Sequence, residues 1–327
     1  MKFFSTALVF LSALFFSNCA PKDYTDGLDE PTAIVHLYPE GQDVDKGIVE
    51  DGVEITLGPA VSNGIDTLEF WWERDGSFNN VQDARLLLYL PKKHKDQMIV
   101  MCPGGGYGEL TARGEGYYAA KELTRMGYPV AVLFYRLPNG HYQVPLTDVQ
   151  NAFRYCRHHA EEWGVSQIGV MGASAGGHLA ASASTLYTDS LTRPDFTVLL
   201  YAVTTFLEGK RIGAMKRITE GYKPELVEMF DCVKNVTSDT PPAAIFHAAD
   251  DRGVPVEQSF RYHEALHSAG VQSELHVFPH GRHGWAFYTE RTCGKDALGS
   301  SYAPLFFGLL QAFLDDVRPS GEPTPEV

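Results

Sequence analysis

The chain has 327 residues, 44% of them hydrophobic, enough for one large domain with a substantial core. Its 41 acidic and 27 basic side chains give a formal net charge of −14. That balance disfavours nucleic acid or an anionic membrane surface as a partner and is compatible with a neutral polysaccharide.

At the N-terminus, Lys2 precedes the apolar run Phe3 to Phe16, which is short for a membrane span and suits the core of an export signal. Phe15-Phe16-Ser17-Asn18-Cys19 resembles a bacterial lipobox, which makes Cys19 the expected lipidated residue; cleavage near Ala20 is the alternative. The expected division is a signal over residues 1–18, a tether over 19–31, a folded domain over 32–317 and a disordered tail over 318–327. Either form of processing places the mature chain outside the cytoplasm, with the membrane contacted only through a lipid on Cys19. The remaining cysteines, Cys102, Cys156, Cys232 and Cys293, show neither a CxxC nor a zinc spacing, and no bridge among them is expected.

Strands are predicted over Ala33 to Tyr38 and Ala84 to Leu90. Between them Trp71-Trp72 reads as packing, with a sugar-stacking platform as the rival. Gln97 to Cys102 is a buried strand that runs into Pro103-Gly104-Gly105-Gly106-Tyr107-Gly108. That loop lacks both Gly-x-Gly-x-x-Gly and Gly-Lys-Ser/Thr spacing, so phosphate binding is discounted. A helix over Gly116 to Met126 and a strand over Val130 to Tyr135 follow. Next, Leu146, Val149, Phe153, Cys156, Ala160 and Trp163 form the buried stripe of a helix ending at Trp163.

The apolar run Gln167 to Met171 then enters Gly172-Ala173-Ser174-Ala175-Gly176, followed by an Ala-rich helix. Strand, sharp turn and helix around Gly-x-Ser-x-Gly hold a serine in a strained conformation with its hydroxyl projecting, so Ser174 is the expected nucleophile. A serine needs a base and an orienting acid. Past a strand over Phe196 to Val203, the alternation breaks between Thr204 and Thr240, a charged segment expected to form a short lid. The strand over Pro242 to Ala248 leads to Asp250-Asp251, and a helix over Pro255 to Ala269 follows. The strand over Glu274 to Phe278 leads to His280 and to His283 between Arg282 and Gly284. His283 is the expected base, while either Asp250 or Asp251 could orient it. A metal on His276, His280 and His283 is not expected, because no acidic or cysteine ligand cluster accompanies them. The last predicted helix covers Tyr302 to Asp315. No cofactor is required by this chemistry. The negative oxygen formed by acyl attack calls for preorganised N–H donors, and Gly105, Gly106 and Ala175 are the candidates.

These motifs resemble the acetylxylan-esterase-like branch of the α/β-hydrolases, akin to the lipase and esterase group whose oxyanion loop reads His-Gly-Gly-Gly. The resemblance runs from about Met98 to Trp285. It comprises Pro103 to Tyr107, Glu115-Gly116, Tyr135-Arg136-Leu137, Pro145-Leu146 with Asp148, Arg154, Arg157, Trp163, the elbow with His178-Leu179-Ala180, and the Asp251 and His283 segments. It implies an α/β fold, a mostly parallel central sheet with helices on both faces and a short lid insertion. It selects Asp251, three residues before Val254-Pro255, as the triad acid, and implies removal of acetyl groups from plant-type polysaccharide. Tyr107, Glu115 and Trp285 are then candidates for the substrate pocket. Feruloyl or other small esters are the alternative substrates; a peptidase or a non-catalytic glycan-binding lipoprotein is further away. The chain departs from the pattern at Pro103, where the lipase-like group has histidine, at Gly284-Trp285 in place of Gly-Phe, and over residues 58–82, which align with nothing.

Overall fold

The computed structural model describes residues 30–38, 48–50, 53–55, 70–72, 76–207, 212–289 and 302–317. The export signal, Cys19, most of the tether, Cys293 and the C-terminal tail expected from the sequence lie outside the described residues.

The centre of the molecule is an eight-stranded sheet in the order β1-β6-β8-β7-β9-β10-β11-β12. In chain order its strands are β1 (Ala33–His36), β6 (Arg85–Tyr89), β7 (Gln97–Cys102), β8 (Val130–Phe134), β9 (Gln167–Ala173), β10 (Thr197–Leu200), β11 (Ala243–Ala248) and β12 (Ser273–Phe278). From β8 to β12 every pairing is parallel, while β6 runs antiparallel to β8 and β1 antiparallel to β6. Strands β7, β8, β9, β10 and β11 are buried at every residue. Sequences such as Met-Ile-Val-Met and Val-Ala-Val-Leu-Phe show no polar alternation because helices cover both faces of the sheet. Two small antiparallel pairs, β2 (Ile48–Glu50) with β3 (Val53–Ile55) and β4 (Phe70–Trp72) with β5 (Ser77–Asn79), lie outside it. Trp71 and Trp72 therefore belong to a strand paired with β5, and β5 is tied to the glycine loop by reciprocal bonds between Phe78 and Leu110 at 2.8 Å.

The helices are α1 (Ala119–Arg125), α2 (Gln143–His159), α3 (Ser174–Thr185), α4 (Gly213–Ile218), α5 (Pro224–Met229), α6 (Glu257–Ser268) and α7 (Ala303–Asp316). Several boundaries differ from expectation, among them the end of α2, which stops at His159 and not Trp163, and three others have a clear physical reason. A wide π-helical turn over Arg113–Tyr118 precedes α1 and carries the buried Glu115 inward. Helix α2 begins at Gln143 because Pro145 is tolerated in a first turn, where its missing N–H has no intrahelical partner. Strand β10 stops at Leu200, since Tyr201 takes φ +39° and leaves the extended conformation.

At the amino ends of the strands the C-terminal helix closes the sheet. Lys95 Nζ donates to Gln311 Oε1 at 2.7 Å, Gln97 Nε2 to the Leu314 carbonyl at 2.8 Å, and Gln167 Nε2 to the Val317 carbonyl at 3.2 Å. Beyond β8, Arg136 and Asp148 form a buried ion pair, Nη2 to Oδ1 2.6 Å. The Arg136 N–H and the Tyr38 hydroxyl also donate to Asp148, at 2.8 and 3.0 Å, and Asn151 donates to the Tyr38 oxygen at 2.8 Å. Removing one partner of such a pair strands the other charge in the interior. Arg136→Met should lower unfolding free energy by about 3–5 kcal/mol in chemical denaturation, far more than the loss expected from breaking a surface pair.

Candidate active site

The candidate site begins with the turn between β9 and α3. Ser174 has φ +53°, in the left-handed region that non-glycine residues rarely occupy. The turn closes only because strand, helix and glycine loop approach each other without side chains. A Cβ on Gly172 would lie 2.1 Å from the Gly176 carbonyl oxygen, and one on Gly176 would lie 2.1 Å from that of Cys102. The serine hydroxyl is thereby presented at the carboxyl end of the sheet.

The loops after β11 and β12 bring the other two groups to it. The Ser174 hydroxyl donates to His283 Nε2 at 2.9 Å, and His283 Nδ1–H donates to Asp251 Oδ2 at 2.7 Å. Asp251 Oδ1 accepts the N–H groups of Gly253 and Val254 at 2.7 and 2.9 Å, which fixes the carboxylate plane. Asp250 does a different job. Its Oδ1 accepts the N–H groups of Gly281 and Arg282 at 2.9 and 2.8 Å, so it braces the loop that carries His283. The other two histidines of that region go elsewhere. His276 contacts Glu274 and stacks on Phe246, and the exposed His280 lies 3.8 Å from Asp250.

A second imidazole supports the acid. His247, fully buried on β11, places Nε2 3.4 Å from Asp251 Oδ2 and 3.0 Å from the Val254 carbonyl, while its Nδ1 accepts from the Ser259 hydroxyl at 2.7 Å. The sequence carried a signal for it, a histidine inside an otherwise apolar strand four residues before the acid. Burial alone would raise the pKa of Asp251, but the bonds from His247 and His283 outweigh it and hold the carboxyl well below its usual range. Burial likewise works to lower His283, and the bond to Asp251, its charge and that of Glu115 together raise the imidazole above the ordinary histidine value.

The glycine loop after β7 faces the hydroxyl. Gly105 has φ +118°, and a Cβ there would lie 2.1 Å from the Glu109 carbonyl oxygen. Among the described residues no backbone or side-chain bond takes up the N–H of Gly105 or Gly106. The N–H of Ala175 stands in the first turn of α3, where helices have no internal acceptor. Pro103, where the resembling group has histidine, contributes a carbonyl that accepts from the Tyr135 hydroxyl at 2.8 Å.

Glu115, Gly105, Gly106, Ser174 and His283 line one cavity of about 420 Å³. Glu115 is 4% exposed. Its Oε2 accepts the Gly104 N–H at 2.7 Å and its Oε1 accepts the Tyr201 hydroxyl at 2.9 Å. Burial raises its pKa against the opposing effects of the His283 charge and these two bonds. Both oxygens are committed to the protein, so Glu115 braces the glycine loop from beneath instead of offering a free group to the cavity. The other two candidates for the pocket stand behind its wall. Tyr107 donates to His178 Nδ1 at 2.9 Å, and Trp285, 1% exposed, packs against Tyr201, Phe278 and Phe306. Neither belongs to the cavity lining, because each ring fills a gap between the loop and the core. His178 Nε2–H donates to the Phe230 carbonyl at 3.0 Å. Burial pushes this imidazole down to about 4, so it stays neutral and joins helix α3 to both the glycine loop and the 204–240 segment. Within the 204–240 region, Ile212, Gly213, Ala214 and Arg217 form one wall of the cavity. Sequence reasoning did not single out Arg217, since one arginine in a charged segment carries no pattern.

This fold and this serine–histidine–aspartate arrangement define an α/β-hydrolase. The BD-FAE family model matches residues 86–205. The chain is 37% identical over 214 residues to an acetylxylan esterase of Xylanibacter ruminicola, covering 63% of this chain and 44% of that protein. It is 29% identical over 228 residues to endo-1,4-beta-xylanase B of Butyrivibrio fibrisolvens, covering 64% and 35%. The chain thus spans less than half the length of these two curated relatives. Among solved structures, the acetyl ester-xyloside bifunctional hydrolase of Caldicellulosiruptor lactoaceticus superposes with a TM-score of 0.64 at 26% identity, covering 89% of this chain and 98% of that one. The chain has the α/β-hydrolase fold and is similar in sequence to acetylxylan esterases and related esterases.

For a triad of this geometry only the neutral imidazole could take the serine proton, so activity that depends on it is expected to fall as pH drops through the raised pKa of His283. The acid limb of kcat/KM should therefore lie above the ordinary histidine range. In Asp251→Asn it should move to lower pH while kcat falls by roughly three to four orders of magnitude; a pH–rate profile reads both.

Proposed function

We propose that the protein is a serine carboxylic-ester hydrolase that removes acetyl groups from plant-type polysaccharide or its oligosaccharides. The observation that carries the chemistry is the relay of 2.9 and 2.7 Å bonds from Ser174 through His283 to Asp251, set beside glycine-loop N–H groups that no described residue takes up. The relatives named acetylxylan esterase and acetyl ester-xyloside hydrolase support the choice of an acetylated carbohydrate.

In the proposed mechanism His283 Nε2 takes the proton of Ser174 as the oxygen attacks the acetyl carbonyl. Asp251 keeps the imidazole in the tautomer with its proton on Nδ1 and stabilises the imidazolium. The N–H groups of Gly105, Gly106 and Ala175 receive the oxyanion, a contribution worth about 2.7–4 kcal/mol per donor in comparable sites. Protonated His283 passes its proton to the departing sugar hydroxyl. Water, deprotonated by the same imidazole, then releases acetate from the acyl-serine.

Ser174→Ala should fold normally and lose several orders of magnitude in acetate release from acetylated xylan. It should also lose labelling by a fluorophosphonate. Parental turnover of p-nitrophenyl acetate by the purified variant would defeat the assignment.

The proposal extends to export and anchoring through Cys19, supported by the apolar run Phe3 to Phe16 and the lipobox-like residues before Cys19. Labelled fatty acid fed to expressing bacteria should enter the parental protein and not Cys19→Ser.

A further inference from the structure

Arg217 lies on α4, on the lid wall of the cavity, with its side chain exposed to solvent. Its Nη1 donates to the Gly106 carbonyl at 3.0 Å, which anchors the guanidinium beside the oxyanion loop. The rest of the group rests in a slot made by glycines. A Cβ on Gly108 would lie 3.2 Å from both Cζ and Nε, one on Gly213 would lie 3.2 Å from Nη1, and one on Gly106 would lie 3.5 Å from Nη1. Side chains at Gly108 and Gly213 would press on the fork, while Gly106 stands at ordinary contact distance, so the loop and the lid helix both leave room for it.

Among the described residues the guanidinium has no counter-charge. Arg85, Arg136, Arg154 and Arg157 each reach a carboxylate within 4.0 Å. Arg217 has no such partner among the described residues, in a chain where acids outnumber bases 41 to 27. Glu115, the carboxylate lining the same cavity, is buried under Gly104 with both oxygens bonded. The cavity therefore carries, on its solvent side, a planar cation that no carboxylate among the described residues pairs with. A guanidinium fork held in one orientation matches a carboxylate, to which it can donate two parallel N–H bonds.

Resting on the carbohydrate-esterase reading above, we propose that Arg217 is a carboxylate-binding subsite, and that the preferred substrate is an acetylated oligosaccharide bearing a uronic acid near the acetylated sugar. The acetyl group enters between Ser174 and the glycine loop, and the uronate meets the guanidinium at the lid.

The test separates this subsite from the esterase reading by using p-nitrophenyl acetate as the reporter reaction. An aldouronic acid oligosaccharide and its neutral counterpart are compared as competitive inhibitors of the parental enzyme. Inhibition by the acidic sugar should be roughly tenfold stronger, and the advantage should shrink as salt is raised, as expected for an exposed charge pair. Arg217→Met should abolish the advantage and Arg217→Lys should keep part of it. Equal inhibition by the two sugars in the parental enzyme overturns the proposal. So does an advantage that survives in Arg217→Met, or a variant whose only change is slower turnover of the reporter, which would limit the guanidinium to supporting Gly106. Acetate release from acetylated xylan, measured alongside, reports on the esterase reading: its absence with the inhibition pattern intact removes the acetyl substrate and leaves the carboxylate subsite standing.

Discussion

The site depends on one backbone constraint, the left-handed conformation of Ser174 between β9 and α3. Such a conformation costs on the order of 1–3 kcal/mol and persists only when surrounding structure imposes it. Here the imposition is steric. Strand β7, whose last carbonyls press on Gly176, and helix α3, whose first turn presses on Gly172, leave the chain no other path. The buried parallel sheet supplies the rigidity, because five strands with every residue buried cannot shift individually to relieve the turn.

Around that turn, polar groups buried among apolar ones tie separate segments together. Glu115 links the π-helical turn to Gly104 and to Tyr201 after β10. His178 links α3 to Tyr107 on one side and to Phe230 on the other. Asp251 accepts from both of the imidazoles that flank it and from two backbone N–H groups. A buried polar group left without partners is costly, so each of these bonds resists displacement of the loop it holds. Preorganisation of the hydroxyl, the imidazole and the N–H groups is the collective result.

Much of this was legible in the sequence because it rests on local constraints. Glycines flanking Ser174, an apolar run before them and an alanine-rich stretch after them determine strand, turn and helix with no long-range information. His283 was legible from its place at a strand end among glycines. The distinction between Asp250 and Asp251 was not, because adjacent carboxylates differ only in which way the loop turns them; resemblance, not spacing, favoured Asp251. Tyr107 and Trp285 were misplaced for a related reason. An aromatic side chain beside a catalytic motif has the same appearance whether it faces the cavity or the core, and here both face the core. The antiparallel run of β6 against its neighbour, and the partnerships of Glu115 and Arg217, depend on residues tens of positions away.

The clamp between the C-terminal helix and the amino ends of β7 and β9 lies at the opposite rim of the sheet from Ser174. Reactivity and closure of the scaffold are thereby assigned to separate ends of the same strands. Helix α4, which carries Arg217, stands at the reactive rim, but its segment returns to the amino end of β11 and sends Met215, Ile218 and Phe230 into the core, so only its exposed positions are free to vary by descent. A lineage built on this framework can explore new ligands through those exposed positions at little risk to its ability to fold.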